Sequence, residues 1–215
     1  MIRHLDRVVP APVGPRPELA GPDHPMRKVT RQVAFEPGGW TPERAARVTE
    51  VFDGLASVWD TTRADQPRIA PLADAVERGG PTARGCWVEV GSGSGLATPW
   101  LATQCRTLLA VDLSPAMLAQ APPDAGFRVR ADAARLPLAD ATVDAAVLVN
   151  ALLFPAEIAR VVRPGGALVW FSSLGDATPI YLAAEDVDEA FGGRWDGVAA
   201  DAAWGTWAVL HRPQR

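Results

Sequence analysis

Three glycines at every second position, Gly91, Gly93 and Gly95, follow directly on the run Val88-Glu89-Val90. Without a Cβ the backbone turns sharply there, and a ligand can lie against the main chain. The residues beyond, Leu96-Ala97-Thr98-Pro99-Trp100-Leu101, are apolar with helical potential. Strand, glycine turn and helix in succession aim backbone N–H groups at a nucleotide-like ligand. Carboxylates punctuate the same region. Asp112 ends the next strand-like run roughly 20 residues after Gly91, a spacing that suits bidentate hydrogen bonding to a ribose diol. Asp132 ends the third run, where it can accept from an adenine amino group while the N–H of Ala133 meets a ring nitrogen. The fourth run ends at Val149-Asn150-Ala151, where the ligand's far end would lie.

The dinucleotide fingerprint Gly-x-Gly-x-x-Gly fails here. Counted from Gly91 its third glycine falls on Leu96, and counted from Gly93 it falls on Thr98. Glu89, two residues before the first glycine, would repel a pyrophosphate and attract an ammonium group. An NAD-dependent oxidoreductase is therefore the weaker reading.

The elements that must position these residues alternate. Strand-like runs occupy 86–90, 107–112, 127–131, 143–149 and 166–171, separated by helical or loop segments at 96–103, 115–121, 133–140 and 154–162. Continuous apolar strands alternating with helices predict a doubly wound α/β fold, a parallel sheet covered on both faces. Runs 198–204 and 206–211, joined at Gly205, predict a terminal hairpin whose last strand is antiparallel. Upstream, Thr41-Pro42-Glu43 opens a helix, and a second runs from Ile69 to Gly79-Gly80. Residues 1–30 carry Pro10, Pro12, Pro15, Pro17, Pro22 and Pro25, a composition that predicts an extended or disordered tail without helix or strand ladder. The expected organisation is this tail, a helical cap over 31–80, and a ligand-binding core over 81–215.

Composition narrows the function. At 215 residues the chain is long enough for one well-buried core, and its net charge of −4 gives no global attraction to nucleic acid or acidic membranes. Two cysteines, Cys86 and Cys105, make neither a disulfide framework nor a metal site. No apolar run spans a bilayer and no signal segment precedes the prolines, so a cytoplasmic protein is expected.

Taken together, Glu89 to Gly95, Ala110-Val111-Asp112-Leu113-Ser114-Pro115-x-Met117-Leu118, Arg130-Ala131-Asp132-Ala133-x-x-Leu136-Pro137-Leu138 and Val161-x-Arg163-Pro164-Gly165-Gly166 resemble the consecutive motifs of class I S-adenosylmethionine (SAM)-dependent methyltransferases. The resemblance covers roughly residues 40–215. It is nearest to the small-molecule enzymes like those of ubiquinone and menaquinone biosynthesis, whose preceding helix resembles Phe52-Asp53-Gly54-Leu55-Ala56-x-x-Trp59-Asp60. It implies a Rossmann-like methyltransferase fold with a seven-stranded sheet in the order 3-2-1-4-5-7-6, strand seven antiparallel. It also implies SAM as cofactor and S-adenosylhomocysteine (SAH) as product. Gly91, Ser92, Gly93 and Gly95 would line the ribose and amino-acid moiety, Asp112 the ribose hydroxyls and Asp132 with Ala133 the adenine. Leu113 would sandwich the adenine ring, and Met117 either joins it or, on its stronger reading, packs in the helix–sheet core. Glu89 either reaches the methionine end or satisfies nearby backbone N–H groups, and Asn150 either closes the pocket floor or simply ends a strand.

The resemblance implies methyl transfer to a small molecule, driven by alignment, with no obligatory base. His4, His24 and His211 read as structural or solvated; Asp60, Tyr181 and Glu185 are candidates to face a substrate. After the fourth strand, Asn150-Ala151-Leu152-Leu153 lacks the Asn/Asp-Pro-Pro-aromatic signature of amino-group methylators and the Pro-Cys of cytosine methylators, so a nucleic-acid substrate is not expected. Trp40 and Trp59 sit where an aromatic lid would cover the acceptor. A SAM-binding regulator without catalysis remains the rival reading.

Overall fold

The aliphatic runs set at intervals along the chain pair into one sheet because the central ones, once extended, bury both faces. The computed structural model describes residues 1–17, 23–63, 67–80, 82–123 and 126–214. In chain order its strands are β1 (Ile2–Leu5), β2 (Cys86–Val90), β3 (Thr107–Asp112), β4 (Phe127–Arg130), β5 (Val143–Val149), β6 (Val162–Ser172), β7 (Asp196–Ala202) and β8 (Gly205–His211). They form an eight-stranded sheet in the order β1-β7-β8-β6-β5-β2-β3-β4. Leaving β1 aside and counting from β2, this is the expected order 3-2-1-4-5-7-6. β8 runs antiparallel to both β6 and β7, since a short hairpin connection cannot join parallel neighbours.

Two expectations need correction. The first residues do sustain a strand ladder: Ile2–Leu5 pairs in parallel with Gly197–Ala200 and makes the sheet eight-stranded, not seven. The prolines begin only at Pro10, and an edge strand needs partners on one side alone. Downstream, Pro25 takes the first position of helix α1 (Pro25–Phe35), capped by the His24 ring, which accepts from Met26 N. Pro22, counted in the tail, lies outside the described residues. The hairpin also turns at Ala203-Trp204, with Ala203 at φ 52°, and Gly205 begins β8. Gly205 is needed for proximity, because a Cβ there would stand 2.4 Å from the Ser172 carbonyl oxygen.

The remaining helices are α2 (Pro42–Arg63), α3 (Ile69–Arg78), α4 (Thr98–Gln104), α5 (Pro115–Gln120), α6 (Pro155–Val161) and α7 (Ala184–Ala190). Strand alternation sorts β2 between two core layers. Val88 and Val90 join the layer containing Ile158, Trp170 and Val187, whereas Trp87 joins Leu72, Leu101 and Trp207. Glu89 shares the Trp87 face. A third cluster, with Val33, Leu152, Phe154 and Ile180 buried at its centre, packs α1 and the start of α2 over the carboxyl ends of the strands. Among the described residues no helix is long and apolar enough to cross a membrane, and no cluster of His, Cys, Asp and Glu is arranged to hold a metal.

α3 is fastened to the sheet by Asp74, whose Oδ2 accepts from the buried Trp207 Nε1 at 2.8 Å and whose carboxylate pairs with Arg78 at 2.6 Å. Burial opposes ionisation of Asp74. The Arg78 and Trp207 hydrogen bonds and the Arg78 charge outweigh it and hold the pKa below the ordinary carboxylate value. Asp74→Ala leaves the Trp207 N–H buried without an acceptor and should cost about 1–3 kcal/mol, read as a lower urea midpoint. Because the folded pKa is depressed, the contribution of Asp74 is present above its unfolded pKa and disappears as pH falls through the folded one. The midpoints of wild type and variant should therefore converge in acid; a constant gap would contradict this account.

Candidate active site

The carboxyl ends of β2, β3, β4 and β5 and the cap formed by α1 and α2 enclose a crevice with about 1030 Å³ of free space, open to solvent. In a parallel sheet all strand ends of one sense meet on one edge, where backbone groups are left without ladder partners. At β2 the chain leaves the strand through Gly91, at φ 71°, and Gly93, at φ 57°. Gly91 N and Ser92 N both donate to Val111 O, at 2.8 and 3.0 Å, which folds the turn back onto β3. A Cβ on Gly91 would stand 2.7 Å from the Ala151 Cβ, so the position is closed to side chains from behind. A Cβ on Gly93 would meet nothing within 4 Å. The Ser92 hydroxyl is buried and has no hydrogen-bond partner in the protein, and Ser92 lines the crevice. Gly95 is not among the lining residues; its Cβ position faces Ala121 and Pro122 behind the turn.

Asp112 ties two loops together. Its Oδ2 accepts from Gly93 N and its Oδ1 from Ser114 N, both at 2.8 Å. Burial raises its pKa, against the backbone N–H groups of Ser114, Gly93 and Leu113; the carboxylate of Asp53 adds to the rise. Ser114 in turn caps α5, accepting from Met117 N at 3.0 Å, while its hydroxyl donates to Asp53. Leu113 and Met117 both line the crevice.

Glu89 is 2% exposed and lines the rear of the crevice. Its Oε2 accepts from the Thr98 hydroxyl at 2.5 Å, so the side chain reaches α4 and not the backbone N–H groups one reading assigned to it. Burial pushes its pKa up to about 8; the Thr98 hydrogen bond opposes the shift and the Asp112 charge adds to it.

At the end of β4 Asp132 lines the crevice with Ala133. Its carboxylate already accepts from Trp40 Nε1, at 3.1 Å to Oδ1 and 2.9 Å to Oδ2, and from Ala134 N at 2.8 Å to Oδ1. Asn150 lines the floor at φ 52°, and its amide is engaged with Ser173: Nδ2 donates to Ser173 Oγ at 2.9 Å and Oδ1 accepts from Ser173 N at 2.8 Å. That side chain ties the ends of β5 and β6 together, leaving its role toward a ligand to backbone and shape.

Sequence reasoning missed two features. Arg68, just before α3, is buried and lines the crevice; it sits in no motif and no periodic pattern. The cap is also clasped by polar contacts to the crevice-lining loops after β2, β3 and β4. Asp60 accepts from the Ser94 hydroxyl, Asp53 from Ser114, and Trp40 donates to Asp132. Asp60 therefore serves as a clasp. Glu185 pairs with His4, and Tyr181 lies under the Arg27 guanidinium at 4.8 Å; neither lines the crevice. His24 caps α1 and His211 bonds to Gly79 O at 2.9 Å, so all three histidines have structural partners.

The outer half of the crevice is apolar. Trp40 and Phe154 meet edge to face at 5.3 Å, Phe52 and Trp59 likewise at 5.5 Å, and Val48, Leu152 and Ile180 fill between. Thr49 adds a hydroxyl, but it donates to Ala45 O within its own helix.

Residues 88–170 match a family model described as a methyltransferase domain. The chain is 35% identical over 134 residues to demethylmenaquinone methyltransferase of Mycobacterium marinum, covering 57% of each. It is 32% identical over 149 residues to the biotin biosynthesis bifunctional protein BioHC of Cellvibrio japonicus, covering 63% of this chain and 29% of that one. The chain thus spans 29% and 57% of the lengths of these two relatives. Among solved structures the DhpI–SAH complex superposes with a TM-score of 0.65 at 19% identity, covering 78% of this chain and 96% of that one. The [4+2]-cyclase SpnF gives 0.61 at 16% identity, covering 79% and 97%. Both likenesses establish the shared fold.

The proton on Glu89 has a measurable consequence. The folded chain holds it up to about pH 8, whereas an unfolded glutamate releases it near its ordinary value. Between those limits the folded state binds the extra proton, so stability falls as pH rises, by up to about 1.4 kcal/mol per pH unit. Glu89→Gln should flatten this slope, so thermal melts of both proteins between pH 5 and 8 should diverge in the variant's favour toward the alkaline end. Parallel curves would mean that Glu89 is ionised in the folded chain throughout.

Proposed function

We propose that this chain, which belongs to the class I SAM-dependent methyltransferases, transfers the methyl group of SAM to an apolar small-molecule acceptor held under the aromatic cap. The observation that carries the reading is the division of one crevice into two chemistries. Its inner edge presents the carboxylates of Glu89, Asp112 and Asp132 beside an open glycine turn, and its outer half presents two aromatic pairs.

The inner edge fits the cofactor. Asp112 accepts from Gly93 N on one oxygen and from Ser114 N on the other, with Leu113 N adding to the set, and as an ionised carboxylate it keeps lone-pair capacity for a ribose hydroxyl. The Ser92 hydroxyl lacks a partner, the Gly93 backbone is unshielded, and the excess of carboxylates over the single Arg68 guanidinium favours a cation. When bound, SAM supplies a methyl group made electrophilic by its sulfonium. The chain's own task is to orient. α2 and the Leu152–Phe154 segment wall the acceptor against the cofactor edge and keep water out, and alignment of this kind contributes on the order of 7–11 kcal/mol in favourable cases. Among the described lining residues there is no His, Cys, Lys or Tyr. The reading therefore takes an acceptor that is nucleophilic without help from an enzymatic base, and an uncharged body that gains by leaving water for Trp40, Phe52, Trp59 and Phe154.

Calorimetric titration with SAM, SAH and NAD tests the reading. Binding of the first two and not of the third is expected, with SAH released on turnover of a small-molecule extract. Asp112→Ala should weaken SAM by about 1–3 kcal/mol. SAM ignored while NAD binds would overturn the assignment, and tight SAM binding without turnover of any acceptor would point to a regulator.

A further inference from the structure

We propose that Trp40 is a positioning residue for nucleobase recognition: its indole N–H sets the Asp132 carboxylate so that one acceptor position, on Oδ2, is left for the exocyclic amine of adenine. The inference rests on the reading above that SAM occupies the crevice.

An ionised carboxylate offers about four lone-pair positions. On Asp132, Oδ1 takes Ala134 N at 2.8 Å and a share of the Trp40 indole at 3.1 Å, and Oδ2 takes the indole at 2.9 Å. One position remains, on Oδ2. A carboxylate held by two donors at fixed angles cannot swing to present itself elsewhere, so its last lone pair points one way.

Trp40 is itself held. Its ring stands edge to face on Phe154 at 5.3 Å and 80°. The turn that delivers it is closed by Gly39 N donating to Glu36 O at 2.9 Å. A Cβ on Gly39 would stand 2.1 Å from Gln32 O, so only glycine lets the turn lie that close to α1. The Arg44 guanidinium then donates to Gly39 O and, at 3.0 Å, to Gln32 Oε1. The donor is in place before any ligand arrives, beside the main-chain N–H of Ala134 that holds Oδ1.

The chemical consequence is selectivity for a donor on the base. Adenine puts an amine against the remaining lone pair. Hypoxanthine puts a carbonyl there, acceptor against acceptor, and leaves both unsatisfied. Without the indole N–H, Asp132 is free to turn toward water and the contrast between the two bases shrinks. Trp40 also belongs to the acceptor half of the crevice, so the same side chain that aims Asp132 completes the wall against which an acceptor packs.

The test is the ratio of dissociation constants for S-inosylhomocysteine and SAH, measured by calorimetry on the full chain. Wild type should prefer SAH by about tenfold or more, since the carbonyl of the other base leaves the Asp132 acceptor unpaired. Trp40→Phe keeps a ring against Phe154 and removes the N–H. It should cut the ratio by about fivefold through weaker SAH binding, with S-inosylhomocysteine little changed. Trp40→His, which restores a donor, should recover part of the ratio and stands in should Trp40→Phe fail to fold. Asp132→Asn should lower the ratio as well, and the double variant should lose no more than the single ones. A ratio unchanged in the Trp40 variants would reduce the residue to packing. SAH bound more tightly by Trp40→Phe would mean that the indole competes with the base, and either result overturns the proposal. Wild type that binds SAH without preference sinks this inference alone; wild type that binds neither ligand sinks the reading of the site with it.

Discussion

One carboxylate at the tip of β3 holds the ligand edge together. Asp112 accepts from Gly93 on one oxygen and from Ser114 on the other, so the glycine turn after β2 and the turn into α5 cannot move independently. Both loops carry residues that line the crevice, and Ser114 is also the cap of α5 and a donor to Asp53 on α2. A single half-buried side chain thus fixes the distance between the open backbone at Gly93 and the apolar shelf at Leu113 and Met117. Buried polar groups are costly unless satisfied, so a carboxylate sunk this far is retained where its hydrogen bonds do positional work.

The cap is arranged by the same logic. α2 is a long helix whose main tie to the core is α5, and α1 rests on the Leu152, Phe154 and Ile180 cluster. Apolar contact alone would let such a lid slide. The contacts of Asp60 with Ser94, Asp53 with Ser114 and Ala116, and Trp40 with Asp132 register it against the ends of β2, β3 and β4. Hydrogen bonds of this kind contribute modestly to stability and strongly to geometry. The aromatic walls of the outer crevice are therefore positioned by the loops that shape its inner edge.

Charge completes the picture. Glu89 and Asp112 lie close enough for the charge of one to raise the pKa of the other, and desolvation makes that repulsion expensive. The strain is relieved by holding a proton on Glu89 or by bringing in a cation. On the proposed reading, this repulsion disfavours pyrophosphate and favours a positively charged ligand beside the glycine turn.

How much was legible beforehand divides along contact range. The sequence by itself determined the strand positions and the antiparallel final strand, because apolar runs, glycine turns and short connections are local signals that sterics translate directly. The order of the seven core strands was legible only through the family resemblance. It also placed Gly91, Gly93, Asp112 and Asp132 at strand ends. Tertiary structure alone decided that Ile2–Leu5 becomes an edge strand on β7, that Gly205 packs against Ser172 where a turn had been read, and that the Asn150 amide spends itself on Ser173. It alone brought Arg68 to the crevice and Trp40 to Asp132, 92 positions apart in the chain. Such contacts depend on how whole elements dock, and no spacing of residue types along a chain encodes the angle at which one helix settles over the ends of a sheet.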